Sequence, residues 1–288
     1  MAESVTRPVG AGIPRAKTAG PNTWTRAFSH ASLRKLRVLL LLLALWEVLA
    51  RLAAASNPQI GLIFPTASAV ALAWVRGMLS GEIPAYAAQS LSLLLLGMAI
   101  GALLAILLVG AATFSRTGRD LLELLTAMFN PLPAIALLPL ALLWFGLGPR
   151  SLVFVIVHSV LWPMALNAYT GFVTVPPTLV RVGQNFGLRG PRLVAGILLP
   201  AAFPYLLTGL KIGWAFAWRT IIAAELVFGV AGDRGGLGWY IYTNRFNLNT
   251  PEVFAGLITI IVIGLLVENL VFRAIERRTV MRWGMASQ

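Results

Sequence analysis

An all-α membrane protein is the fold this chain predicts, and three observations predict it. Hydrophobic residues make up 58% of its 288 residues and charged ones only 11%, against roughly 45–50% and about 25% in soluble domains. Its mean hydropathy is +0.81, so lipid must be its main solvent. The apolar residues gather into runs close to the length of about 20 that crosses a hydrocarbon core roughly 30 Å thick. None of these runs shows the alternation of a β-barrel strand.

Six transmembrane helices are expected, at 37–55, 90–112, 121–146, 151–171, 204–228 and 253–273. The first is built on the Leu39–Leu45 run, and the third is interrupted by Pro131, Pro133 and Pro139. Residues 1–36 read as a basic, disordered tail rich in Pro, Gly, Ser and Thr. Ala53-Ala54-Ala55 resembles a signal-peptide cleavage site, but the stretch before Arg37 is too long for a usual n-region and Trp46-Glu47 interrupts the apolar core. Within the external stretch 57–88, Pro65-Thr66 followed by Ala69, Val70, Ala73, Trp74 and Leu79 predicts a short amphipathic helix on the outer surface. The membrane body is thus expected over 37–273, with a loop at 172–200 and a second tail at 274–288.

Charge sets the orientation. Of the 23 Lys and Arg residues, sixteen fall in the N-terminal tail, the 113–120 loop, the 172–200 loop and the C-terminal tail. Five fall on the other side, and Lys211 and Arg219 lie inside the fifth span. The positive-inside rule therefore predicts that both termini are cytoplasmic. Topology accounts for the net charge of +13, so nucleic acid is not an expected partner. The absence of Cys removes thiol nucleophiles and thiolate metal sites.

The loop at 172–200 carries Leu179, Val182 and Phe186 at helical spacing, then a second apolar run ending in Leu199-Pro200. A loop with its own helices and a central Gly fits either a partner-docking element or a helix lying on the lipid surface. Gly187, nine residues, then Ile197-Leu198-Leu199-Pro200 resembles the loop shared by bacterial ABC-importer permeases. Pro131-Leu132-Pro133 through Leu140, then Trp144-Phe145-Gly146-Leu147-Gly148, is similar to the nitrate/sulfonate/taurine branch of that family. Leu199-Pro200-Ala201-Ala202-Phe203-Pro204, Gly209-Leu210-Lys211, Ala217-Trp218, Ala224-Glu225, Gly236-Leu237-Gly238 and Glu276-Arg277-Arg278 continue the likeness from about residue 38 to 284.

That resemblance implies a type I importer architecture and the membrane subunit of an ATP-driven importer for a small organic or inorganic anion. It implies a permease homodimer, two ATP-binding cassette subunits that bind ATP and Mg, an external solute-binding protein, and a bacterial inner membrane. It also implies a coupling helix near 177–188, with ATPase contacts at Arg181, Val182, Gly183, Gly187, Leu188, Leu199 and Pro200. The family motif opens with Glu-Ala-Ala where this chain has Arg181-Val182-Gly183, so the acidic contact is missing or replaced. The chain has no G-x-x-x-x-G-K-[ST] and only Lys17, Lys35 and Lys211; an ATP-driven transporter of this sequence borrows its ATPase. The rival readings are an ion-coupled secondary transporter, for which Glu47, Glu225 and Glu268 are the available intramembrane acids, and an intramembrane enzyme.

Ionisable groups inside spans are candidates for function by default. Arg219, following Trp214 and Trp218, suits an anion beside an aromatic wall, since its guanidinium matches oxyanions by paired hydrogen bonds. Glu225, in the same span, contacts either substrate or the loop that follows it. His158 is the one His in a span, and Asn130 sits where Pro131 and Pro133 break the third span; with Trp144 these complete the candidate substrate pathway. The Gly-rich stretch Gly232, Asp233, Gly235, Gly236 and Gly238 reads as an outer gate or a docking loop, or as a connector. Gly97-x-x-x-Gly101 permits close helix approach.

Overall fold

The computed structural model describes residues 22–228 and 235–279, with side chains over 33–227 and 235–279. Among the described residues every regular element is helical. The chain divides into two compact units, 1–49 and 50–288. In the first, the described part belongs to α1 (Asn22–Ser56), whose residues Leu39–Leu43 are exposed as a lipid-facing surface is. This helix begins well before residue 37, inside the stretch expected to be a disordered tail; residues 1–21 lie outside the described residues.

The second unit follows the punctuation of Gly and Pro. α2 (Pro58–Ile63) ends before Pro65, and Thr66 starts α3 (Ala67–Leu79) by accepting a hydrogen bond from the Ala69 N–H at 3.3 Å. α3 is the short helix expected after Pro65-Thr66, and it packs on α13 (Thr250–Leu266) through its buried Val70, Ala73 and Gly77. Trp74 Nε1 donates to Thr259 Oγ1 at 3.0 Å across that contact. The small side chains at three- and four-residue spacing make one face flat enough for helix packing. The segment 58–79 is also apolar enough for a candidate span, with a mean hydropathy of 1.5. α3 alone is about 20 Å long by its rise per residue, short of the hydrocarbon thickness. Among the described residues five helices qualify as spans, or up to seven when bent pairs are included, and the six expected crossings fall inside that range.

α4 (Glu82–Ala112) starts ahead of the expected Ser90, because the left-handed Gly81 ends the preceding turn and the polar Glu82 and Gln89 still fold as helix. α7 (Pro149–Val173) is the central helix, packed between α4 and α11 (Phe203–Phe228). On the α4 side, a Cβ on Gly97 would overlap Ile156, and one on Gly101 would lie 3.0 Å from the Val157 carbonyl oxygen. On the α11 side, a Cβ on Gly209 would lie 2.9 Å from Asn167 Cβ, and one on Gly213 3.2 Å from Val160. Lipid supplies little hydrophobic drive between helices, so close backbone approach and dispersion hold such bundles together.

The third apolar segment is two elements. α5 (Arg116–Phe129) ends at Asn130, whose N–H still bonds to Thr126 O at 3.0 Å. Pro131 and Pro133 then break the ladder, a single 3₁₀ turn covers Ala134–Leu137, and α6 (Leu138–Phe145) follows. The two halves bend by 91°. Proline lacks the N–H and clashes with the preceding turn, so one continuous helix cannot form. Ser151 Oγ lies 3.0 Å from Ala141 O and 2.6 Å from Gly146 O, and shares its hydrogen between carbonyls that apolar surroundings would leave unmet.

α8 (Pro177–Asn185) leads to two single turns, α9 (Pro191–Leu193) and α10 (Leu199–Ala201), around a π-helical turn, Val194–Leu198. That run meets α11 at a bend of 77°. Beyond residues 229–234, α12 (Leu237–Phe246) leads into α13, a π-helical segment Val267–Phe272 and α14 (Arg273–Arg278). Lys211 Nζ of α11 pairs with Glu276 Oε2 of α14 at 2.8 Å.

Candidate functional site

The break after Phe129 opens a cavity of about 380 Å³ among α5, α7 and α11. Asn130, Pro131, Pro133, His158 and Arg219, read separately from sequence, all line it. Each element contributes one face: His158, Ser159, Trp162 and Pro163 from α7, and Phe216, Arg219, Thr220 and Ala223 from α11. A second cavity of about 540 Å³ shares Asn130 and Pro131 and runs past Glu123, Thr126, Tyr169 and Thr170. The Asn130–Pro131 bend is therefore the partition between two chambers.

The first chamber is rich in unused donors. Nδ1 and Nε2 of His158 and Nε1 of Trp162 are buried without a hydrogen-bond partner. Among the described residues no hydrogen bond or ion pair of Arg219 is found, and its side chain is exposed to the chamber side of a long apolar helix. Ser159 is occupied, donating to Ile156 O at 2.7 Å. Phe129 stacks on Trp162 with ring centroids 5.1 Å apart and meets His158 edge-on at 6.2 Å. This aromatic cluster pins the end of α5 to α7.

Four expected pathway residues lie outside both chambers. Trp214 and Trp218 stack on one another at 5.7 Å, and Trp214 also faces Phe272. Residues four apart share a helix face, whereas Arg219 is about 100° from Trp218; the aromatic wall beside Arg219 is built instead by Phe216, Trp162 and Phe129. Trp144 is exposed and contacts Phe145 and Phe154.

Glu225, the fourth, is 1% exposed and belongs to a knot. Ser90 Oγ, fully buried, lies 2.8 Å from each carboxylate oxygen. The Gly238 N–H donates to Glu225 Oε2 and the Leu237 N–H to Ser90 Oγ, both at 2.9 Å. The carboxyl thus joins α4, α11 and the start of α12. A Cβ on Gly236 would overlap Glu225 Oε1 and Ser90 Oγ, and one on Gly238 would sit 2.6 Å from Ile222 O. These two glycines allow backbone to approach a buried carboxyl. Gly235 lies against the Trp239 ring, while Gly232 and Asp233 lie outside the described residues. No group of three or more His, Asp or Glu side chains able to hold a metal ion occurs among the described residues.

The 172–200 loop has a defined shape. Pro177 opens α8 at a position where its missing N–H costs nothing. α8 ends at Asn185, a turn short of the expected Leu188, in a Schellman motif: Gly187 at φ +80 donates to Gln184 O, and the Leu188 N–H to Gly183 O, at 2.9 and 3.0 Å. Gly183, where the family motif has its second Ala, is buried; a Cβ there would lie 2.9 Å from Ile197 Cγ1 and 3.1 Å from Leu193 Cδ1. Arg181 and Val182 point outward, as do Leu179 and the 82% exposed Phe186. Leu188 and Leu199 are half-buried and Pro200 is exposed.

Helices with small-residue contacts, a span broken over a chamber and a rigidly capped loop with an outward apolar stripe define a multi-pass membrane transport protein. Residues 97–281 match the family described as the binding-protein-dependent transport system inner membrane component, and the chain belongs to that family. It is similar to the taurine transport system permease protein TauC of Escherichia coli, at 33% identity over 72% of this chain and 74% of the relative. Likeness extends to the aliphatic sulfonates transport permease protein SsuC of Bacillus subtilis (29% identity, 84% of each chain). It extends also to the nitrate import permease protein NrtB of Synechocystis (30% identity, 61% of this chain and 59% of the relative). The chain is an ABC-transport permease of the nitrate/sulfonate/taurine branch.

Phe129, Ser159, Trp162, Phe216 and Thr220 were not anticipated in the chamber. A signal existed on α11, because Phe216, Thr220 and Ala223 recur with Arg219 at three- and four-residue spacing.

Proposed function

We propose that this chain imports a small anion as half of a permease homodimer, with two ATP-binding cassette subunits that bind ATP and Mg and with an external solute-binding protein. Both termini face the cytoplasm of a bacterial cell, in keeping with the charge asymmetry. The anionic substrate is supported by the taurine, sulfonate and nitrate names of the relatives and by Arg219 in the chamber. The observation that carries the reading is α8: a capped helix whose Leu179, Val182 and Phe186 are exposed on the surface of a loop. Apolar side chains held outward on a rigid turn fit a groove in a partner. Arg181 takes the place of the family's acidic contact, so the facing ATPase surface is expected to present an acidic or neutral group there.

ATP binding draws the cassettes together, α8 moves with them, and the rigid packing of α4, α7 and α11 carries that movement to the chambers. Gly187→Trp tests this. A side chain at Gly187 meets open space, so the fold survives, although φ +80 adds strain of about 1–2 kcal/mol. The expected result is normal membrane insertion with loss of ATPase co-purification and of uptake; a variant that still couples hydrolysis to transport would sink this assignment of α8.

A further inference from the structure

We propose that the 380 Å³ chamber is a binding subsite for an organic oxyanion of the alkylsulfonate type. Its head group is held by Arg219, His158 and the indole N–H of Trp162, and its carbon tail lies against Phe129 and Phe216. The assignment rests on the anion-importer reading and names the substrate's chemistry and the residues that recognise it.

The unpaired donors come first. Trp162 is 8% exposed, its N–H has no acceptor, and an indole can only donate. Both nitrogens of His158 are likewise buried and unpartnered, and in either tautomer one of them is a donor. Buried polar groups without partners are rare and costly in folded proteins. Here they line one cavity, on one face of α7, opposite a guanidinium that makes no ion pair among the described residues. A ligand that only accepts hydrogen bonds and carries negative charge satisfies the Trp162 N–H, the protonated nitrogen of His158 and the guanidinium together.

The walls select further. No Asp or Glu lines this chamber, whereas the neighbouring one contains Glu123, so a cation finds no carboxylate partner here. The remaining surface is mainly apolar, built from Phe129, Phe216, Ile135, Leu132 and prolines, with Asn130, Ser159 and Thr220 as its other polar side chains. The volume is many times the roughly 30 Å³ share of one water, more than a bare inorganic oxyanion fills. A polar head and a short hydrocarbon tail use both kinds of wall, as small-molecule sites do. Trp218 also has an unpartnered indole N–H, but it lies outside the chamber and is not part of the site.

The purified full chain in lipid nanodiscs, titrated calorimetrically with ethanesulfonate and with ethylammonium as the cationic control, tests the proposal. The expected result is binding of ethanesulfonate alone. Trp162→Phe, which keeps the stack on Phe129 and removes only the donor, weakens binding about tenfold, as does His158→Phe, the scale of one lost hydrogen bond to a charged group. Arg219→Lys retains part of the affinity because its single ammonium cannot make the paired contact. If Trp162→Phe proves unfolded in a thermal melt, His158→Phe decides. Unchanged affinity in the folded variants, or no binding of ethanesulfonate by the wild-type chain, overturns the subsite. ATP-driven ethanesulfonate uptake by the complex in proteoliposomes separates the two claims. Uptake that survives both substitutions rejects the subsite and leaves the importer standing, whereas intact binding with no ATP-dependent uptake rejects the importer reading.

Discussion

Arg219 and Glu225 lie six residues apart on α11 and live in opposite surroundings. The Glu225 carboxyl is sealed, with hydrogen bonds from Ser90 and the Gly238 N–H meeting its oxygens and two glycines letting the backbone close over it. Arg219 faces a chamber whose own donors have nothing to bond. A satisfied buried cluster gives rigidity and a defined helix arrangement, while unsatisfied donors around a cavity await a ligand. The same helix thus carries an anchor at one level and a recognition surface at another. The difference comes from what α4, α7 and α12 bring to each.

That contrast makes predictions of decreasing size. Gly238→Ala should be the most damaging, because its Cβ meets the backbone oxygen of Ile222 and the nitrogen of Leu226, neither of which can rotate away. A loss of about 3 kcal/mol is expected from such overpacking, read as a lowered unfolding temperature in detergent and poor assembly. Ser90→Ala removes one hydrogen bond from the carboxyl and leaves the Leu237 N–H unmet. It should cost about 1–3 kcal/mol and reduce uptake only in proportion to the folded protein recovered. Should Ser90→Ala abolish uptake at full stability, Glu225 would have to be counted with the pathway and the contrast would collapse.

Arg219→Ala should do the reverse, lowering sulfonate uptake at least tenfold with an unfolding temperature close to wild type, since no intramolecular partner is lost. Equal loss of stability and uptake would mean that Arg219 holds the helices together and that the two regions are alike. The smallest effect is expected for Lys211→Ala. Its ion pair with Glu276 is about one-third to two-fifths exposed, and such pairs contribute roughly 0–1 kcal/mol after screening. A melt in high salt should narrow the already small difference between Lys211→Ala and wild type.

Much of the site could be read from the chain because its signals are local. Pro131 and Pro133 interrupt a helix wherever they occur, so Asn130 at the break and an opening beside it were foreseeable. Gly187 ends α8 because the motif it closes needs a left-handed residue. Trp214 and Trp218 misled through adjacency: neighbours in sequence look like neighbours in space, yet one residue along a helix is a turn of about 100°. Helical angles would have put Phe216 and Ala223, three and four residues from Arg219, rather than the two tryptophans, beside it. Ser90 could not have been chosen in this way, since 135 residues separate it from Glu225 and nothing in α4's sequence marks one serine over Ser92.

The sequence by itself determined the helical class, the apolar segments and the points where the chain must bend, because hydropathy, proline and positive φ act within a few residues. It also carried the family, through motifs spread from the third span to the C-terminal segment. Tertiary structure alone decided that 58–79 packs on α13, that Trp162 joins His158 at a chamber, and that Glu225 is tied down while Arg219 is left open. Those outcomes depend on which faces meet when α7 is packed between α4 and α11. A periodic pattern states that a helix has faces; only the neighbours that arrive decide what each face touches.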